Sequence, residues 1–246
     1  MSGPPVRRPR GRRTRASPHA EAREIVFDFL QGYDLLGAFW MTVKLTVLSA
    51  VGSLIWGTML AGMRVGPVPL MRGFGTAYVN IVRNIPLTVI ILFTSLGLDQ
   101  TLRVSLGSDQ VDTVNFRLAV LGLIAYTSAF VCEALRSGIN TVPVGQAEAA
   151  RAIGLNFTQV LTLVVLPQAF RSVVGPLTNV LIALTKNTTV AAAIGVAEAA
   201  TLMKSMIENE AQLIAISAVF AFGFMCLTLP TGLLLGWVGK KVAVKR

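Results

Sequence analysis

Apolar residues gather into five long stretches, at about 39–63, 77–98, 117–135, 174–196 and 212–238, and the segments between them hold the turn formers. Each is close to the roughly 20 residues that carry a helix across a bilayer. The first, second and fifth carry few charges, the third ends at Glu133 and Arg136, and the fourth contains Lys186. No soluble domain of appreciable size remains between them. The pattern predicts an all-α integral membrane protein with five transmembrane helices. Ser49, Ser53, Gly57 and Ala61 stand at strict four-residue spacing in the first stretch. Such a stripe lets two helix backbones approach closely in lipid, although the general abundance of Gly and Ser in membrane helices accounts for it equally well. Pro86 and Pro230 fall inside the second and fifth stretches, where kinks are expected.

Composition agrees. Apolar residues make up 53% of the 246-residue chain and charged residues 14%, against about 25% charged in average soluble domains. The charge is uneven. Seven arginines and Glu21 lie within residues 1–23, giving that segment a net charge of +6. A tail so rich in Pro, Gly and Arg has no apolar surface to bury and is expected to be disordered. It is not followed directly by the apolar run of a signal peptide. Basic tails can bind nucleic acid or acidic lipid, but no folded nucleic-acid module follows, so no nucleic-acid partner is expected. Cys132 and Cys226 lie in apolar runs with no CxxC or His nearby, as free thiols would.

With five spans the two ends lie on opposite sides. If the C-terminus is cytoplasmic, the inner regions contain nine basic residues (Arg64, Arg72, Arg136, Arg151, Arg171, Lys240, Lys241, Lys245, Arg246) and the outer loops only Arg103, Arg117 and Lys204. The positive-inside rule therefore puts the C-terminus inside and the tail outside, against the tail's own charge.

Catalytic machinery is not visible. The only histidine is His19, and the chain has no HExxH, no Gly-x-Ser-x-Gly and no phosphate-cradling glycine loop. No acidic pair is spaced within the spans for proton transfer. The expectation is a non-enzyme without a cofactor or metal, energised by another subunit if it moves solute uphill.

The connection at residues 136–173 is the most informative stretch. Pro143 and Gly145 set a turn, Ala147 to Ile153 reads as a short helix ended by Gly154, and a second helical stretch runs from about Thr158 to Val165 before Pro167. Glu148-Ala149-Ala150, three residues, Gly154, nine residues, Val164, one residue, then Leu166-Pro167 resembles the EAA loop of ATP-binding-cassette importer permeases, with Val164 where Ile is usual. Glu133, Arg136, Gly138, Pro143, Gly145 and Gln146 around it are similar to the polar-amino-acid branch (histidine, glutamine, glutamate and arginine systems). So are Arg83 and Pro86 in the second stretch and Lys186-Asn187-Thr188-Thr189 in the fourth. Asn84-Ile85 departs from the common Gly-Thr, and Ile90 from the frequent Gln. The likeness runs from about residue 33 to 240.

The resemblance implies a type I importer permease with a cytoplasmic coupling helix: a tail at 1–32, a transmembrane domain at 33–240 and a basic end at 241–246. It implies pairing with a second copy or a sister permease, an ATPase dimer on the cytoplasmic face, and an extracytoplasmic amino-acid-binding protein that delivers substrate. Glu148, Ala149, Ala150, Gly154, Leu166 and Pro167 would couple to the ATPase. Arg83, Lys186, Asn187 and Thr188 are candidates for the substrate path, and glutamate is the first guess within the branch. A structural reading stands beside each: Glu148 as a solvated helix acid, Gly154 as a mere cap, Lys186 as a partner of a carbonyl or acid at a helix interface. Two other functions compete, a secondary carrier without an ATPase and a membrane scaffold or assembly protein.

Overall fold

The computed structural model describes residues 32–102, 107 and 110–242, so the arginine-rich tail and the last four residues lie outside the description. Every regular element among the described residues is helical. In chain order they are α1 (Leu35–Val65), α2 (Pro69–Asn84), α3 (Leu87–Leu92, continued as a π-type helix over Phe93–Thr101), α4 (Val111–Ile139) and α5 (Val144–Ala152). Then follow α6 (Phe157–Gln159), a π-type turn (Val160–Val165), α7 (Leu166–Asn187), a 3₁₀ segment (Thr188–Ile194), α8 (Ala199–Glu210) and α9 (Leu213–Val242). Four of the helical segments are long and apolar enough to cross a membrane: Leu35–Val65, Val111–Ile139, Phe157–Ile194 and Leu213–Leu234. The bent pair formed by α2 and α3 makes a fifth if it is one broken span.

The small-residue stripe of α1 is a packing face. Ser49, Ser53, Gly57 and Ala61 are all buried, and Gly57 lies against α4 so closely that an added Cβ would stand 2.6 Å from the Val131 Cβ and 2.8 Å from the Ser128 carbonyl. The opposite face of α1 exposes Trp40, Val47, Val51, Ile55 and Met59, as a lipid-facing helix should. Gly122 of α4 does the same for α3: its added Cβ would stand 2.7 Å from Ile91 Cδ1. Leu45, Ile91, Leu118, Leu123 and Leu184 fill the core around which α1, α3, α4 and α7 meet.

Two boundaries differ from the sequence expectation. The second stretch is not one straight helix, because α2 and α3 meet at 107°. Ile85 is extended there (φ −98°, ψ 133°), as the residue before a proline prefers, and Pro86 supplies no N–H to carry the helix on. The fourth stretch starts far earlier than 174, since helical winding runs from Phe157 to Ile194. Pro167 does not stop it. The wider π-type turn over Val160–Val165 relieves the clash a proline ring makes with the preceding turn. Pro176 and Pro230 likewise lie inside continuous helices. The short helix α8 was not foreseen; Glu198 caps its N-terminus by accepting from the Thr201 amide at 3.0 Å.

Candidate functional site: a loop helix and a polar cavity

The loop site is built from α5 outward. Pro143 precedes α5 with the fixed φ that suits a helix entry. The helix ends at Ile153, and Gly154 follows with φ +93°. The Gly154 amide donates to the Arg151 carbonyl at 2.9 Å and the Leu155 amide to the Ala150 carbonyl at 3.2 Å. These two bonds, crossed over a left-handed residue, form a Schellman motif. Two residues on, Asn156 and Gln159 exchange reciprocal 2.9 Å bonds as a capping box that opens α6. The tight pair of caps folds α5 back onto the π-type turn, where Ala150, Val160 and Val165 form a small core with Ile139, Leu155 and Leu161 packed against it.

This arrangement sorts the expected coupling residues. Ala150 is buried and anchors α5, while Glu148, Ala149 and Gly154 are exposed on it. Two apolar side chains at its ends are the unexpected ones: Val144 is 72% exposed and Ile153 80% exposed. Leu166 and Pro167 are also exposed, at the start of α7. Leu166 lines an apolar cavity of about 300 Å³ with Ala61, Leu135, Ile139 and Phe170.

The candidate path residues divide differently. A cavity of about 390 Å³ opens between α4 and α7, lined by Tyr126, Thr127, Phe130, Asn179, Val180, Ala183 and Asn187. Its size falls in the range of small-molecule sites, roughly 300–1,000 Å³. Of the sequence candidates only Asn187 lines it. Lys186, one residue earlier, is exposed, meets no acid at ion-pair distance among the described residues, and its carbonyl accepts from the Thr189 hydroxyl at 2.8 Å. Thr188 is buried and donates to the Thr185 carbonyl at 2.8 Å, so it is committed to the switch from α-helical to 3₁₀ winding. Arg83 reaches the cavity wall indirectly: its guanidinium carbon lies 5.6 Å from the centroid of the Phe130 ring, and Phe130 packs on Tyr126 at 4.9 Å.

Thr127, Tyr126, Phe130 and Asn179 were missed by sequence reasoning. The α7 part had a signal: Asn179, Ala183 and Asn187 recur at four-residue spacing, which puts two amides on one face of the helix. Thr127 had none. Its hydroxyl is buried and without a hydrogen-bond partner among the described residues, as are those of Ser49 and Ser53 on the packing face of α1.

Beside the cavity Glu133 of α4 gathers three arginines. Arg64, from the end of α1, bonds Oε1. Arg136 reaches Oε1 at 3.4 Å and Oε2 at 3.1 Å, and Arg83 stands 3.5 Å from Oε2. The acid thereby ties together the ends of α1 and α2 and the last turns of α4.

Comparison with known proteins identifies the architecture. The sequence pattern of the binding-protein-dependent transport system inner membrane components matches residues 31–244. A glutamate transport system permease protein of Corynebacterium efficiens is 57% identical over 87% of this chain and 96% of its own length. A probable glutamine ABC transporter permease of Bacillus subtilis is 32% identical over 89% of this chain and 96% of its own length. Among solved structures, an amino acid ABC transporter crystallised with histidines superposes with a TM-score of 0.75 at 23% identity, over 92% of this chain and 99% of that one; at that identity the likeness speaks for the fold. The loop helix capped by Gly154, the helical membrane core and the match along nearly the whole chain together make this protein a member of the binding-protein-dependent inner membrane permeases, a membrane-spanning subunit of an ABC importer.

Proposed function

We propose that this permease carries a polar amino acid, glutamate first, along the face of α7 marked by Asn179 and Asn187, and takes its energy through α5. The observation that carries the reading is the cavity between α4 and α7, where the two amides of Asn179 and Asn187 share a wall with the aromatic rings of Tyr126 and Phe130. Those groups suit the ammonium and carboxylate of an amino acid, and the relative named as a glutamate permease makes glutamate the first candidate.

Coupling is assigned to Glu148, Ala149, Ala150, Gly154, Leu166 and Pro167, with Val144 and Ile153 added. Val144 and Ile153 would seat in a groove of an ATPase subunit, with Glu148 and Arg151 meeting polar groups at its rim. Closure of an ATPase dimer would draw two such loop helices together and turn the cores outward-open, a two-state element biased by ATP. That geometry needs a second copy or a sister permease, and an extracytoplasmic binding protein on the far side. The C-terminus is assigned to the cytoplasm and the tail to the outside, on the bias of basic loop residues.

Reconstituted importer tests the path. Asn187→Leu and Asn179→Leu complexes should keep their ATPase subunits and lose most glutamate uptake. Wild-type uptake in both would remove the cavity from the path.

A further inference from the structure

We propose that the apolar cavity between the ends of α1 and α4 and the start of α7 takes one acyl chain of an anionic phospholipid. That chain completes the packing beneath the loop helix α5. The site is separate from the cavity between α4 and α7 and does not depend on which solute the permease carries.

The lining excludes water. Thr58 and Gly62 of α1, Leu135 and Ile139 of α4, and Leu161 and Phe170 of the fourth span border a space of about 300 Å³. Thr58 supplies the only polar side chain of the lining, and its hydroxyl is committed to the Leu54 carbonyl at 2.6 Å. A cavity with no free polar partner does not hold water. Left empty, it forfeits the dispersion contacts of every group around it. An added Cβ at Gly62 meets nothing within 4 Å, so the side chain that glycine lacks is part of the space. Thr58, Gly62 and Phe170 are exposed, which leaves the cavity open to whatever surrounds the bundle.

The surface of α1 identifies those surroundings. Val51, Ile55, Thr58, Gly62 and Val65 recur at spacings of four, three, four and three residues, along one face of the helix. Val51 and Ile55 are exposed on the lipid-facing side, and Thr58, Gly62 and Val65 line the cavity. The stripe that meets the bilayer therefore runs into the cavity, and a lipid tail, as apolar as leucine, follows it past Thr58 to Gly62. Charge at the same end selects the headgroup. Residues 64–72 and 133–171 carry five arginines (Arg64, Arg72, Arg136, Arg151, Arg171) against Glu133 and Glu148, a surplus of three positive charges. Arg64 and Arg136 are held by Glu133. Arg171, next to Phe170 of the lining, is exposed and meets no acid at ion-pair distance among the described residues. A basic border of this kind draws anionic headgroups. The occupant bears on the loop because Ile139 and Leu161 each have two contacts. Both line the cavity, and both pack on the core of Ala150, Val160 and Val165 that seats α5.

The test uses the assembled importer, with its ATPase subunits and partner permease, in phosphatidylcholine nanodiscs. Trace phosphatidylglycerol with a photoactivatable group at the end of one acyl chain is cross-linked, and mass spectrometry reads the labelled positions. Label should concentrate at Gly62 and residues 161–173. Excess unlabelled phosphatidylglycerol should reduce it there several-fold and leave label on Val51 and Ile55. Gly62→Leu puts a side chain into the space and should cut label at residues 161–173 several-fold, again sparing Val51 and Ile55. Thr58→Leu decides in the same way if Gly62→Leu does not assemble. Phosphatidylglycerol should also slow protease cleavage at residues 150–158 in wild type and make no difference in Gly62→Leu. Label spread evenly along α1 and the cavity, or unchanged in the filled variants, is ordinary boundary lipid and overturns the site. Label that excess phosphatidylglycerol does not displace overturns the anionic headgroup. An unlabelled cavity beside a Gly62→Cys protein that cross-links to a second permease copy gives this face to a protein and overturns the proposal. Cavity labelling with cleavage indifferent to phosphatidylglycerol overturns the link to α5.

Discussion

The amide of Leu155 donates to the carbonyl of Ala150 at 3.2 Å across the left-handed Gly154. That bond closes α5 and turns the chain toward the helix that becomes the fourth span. An added Cβ at Gly154 meets nothing within 4 Å, so a substitution there strains the backbone without a clash. The left-handed region costs an ordinary residue about 1–2 kcal/mol, and Asp and Asn somewhat less. Gly154→Val should therefore loosen α5 and raise protease sensitivity at residues 150–158. Gly154→Asp should loosen the turn less than Val does and fail mainly through its carboxylate on the docking surface, with reduced ATPase binding or uptake. Limited proteolysis and ATPase co-purification on the two variants separate the effects; equal cleavage in both would contradict the distinction.

Gly57 and Gly62 both lie in α1, yet only Gly57 faces a neighbour. An added Cβ at Gly57 meets Val131 and the Ser128 carbonyl at 2.6–2.8 Å, whereas Gly62 has open space. Overfilling a packed interface costs about 1–3 kcal/mol, while glycine to alanine in an unobstructed helix gains roughly 0.5–1 kcal/mol. Gly57→Ala should lower the melting temperature in detergent, and Gly62→Ala should leave it unchanged or raise it. A Gly57→Ala protein as stable as wild type would mean that α1 and α4 separate more easily than this packing implies.

Much of this architecture was legible because membrane helices announce themselves by hydropathy and small-residue spacing. Ser49, Ser53, Gly57 and Ala61 pointed to a close helix contact, and all four are buried. Gly154 was readable as a helix end, and it has the positive φ that role requires. The break at Ile85-Pro86 was readable as a kink but not as a 107° turn, since its size depends on how α2 packs across α1 and α4. The start of the fourth span was hidden because Pro167 reads as a terminator, and only the π-type winding before it shows why the helix continues. The cavity was half legible. The amides Asn179 and Asn187 share a face by spacing, but Thr127, Tyr126 and Phe130 join them only through the packing of α4 on α7. Lys186 drew attention as a charge in a span, and the neighbouring amide is the one that lines the cavity.

Removing Glu133 should do more harm than removing any one arginine around it. Arg64 is only 11% exposed, so Glu133→Ala would leave a shielded guanidinium without its acid and three like charges facing one another. Breaking a fully buried pair by deleting one partner costs about 3–5 kcal/mol, which is the upper bound for this partly exposed cluster. Glu133→Ala should reduce expression and melting temperature sharply, whereas Arg83→Gln, which loses a single half-exposed ion pair, should shift stability only slightly. Melting curves of the purified complexes compare them. A Glu133→Ala protein that melts like Arg83→Gln would show that the cluster is not structural.

Glu198 gives a prediction in pH. It is fully buried, it accepts from the Thr201 amide at 3.0 Å, and the Thr42 hydroxyl of α1 lies 3.3 Å from its other oxygen. The hydroxyl of Thr42 also accepts from the Ala199 amide at 3.2 Å, so this corner ties α8 to α1. Burial pushes the Glu198 carboxyl above the ordinary carboxylate value, and the hydrogen bonds from Thr42 and the backbone only partly offset that. Because the folded value is raised, the folded state holds this proton more firmly than the unfolded chain does. The resulting stabilisation is complete below the ordinary glutamate value and is lost as pH rises through the raised one. Glu198→Gln keeps an acceptor for the Thr201 amide and cannot ionise. Wild type should therefore lose melting temperature between acidic and neutral pH relative to Glu198→Gln, and the two curves should converge toward low pH. Parallel curves across that range would show that Glu198 is already ionised and fully compensated by its donors at neutral pH.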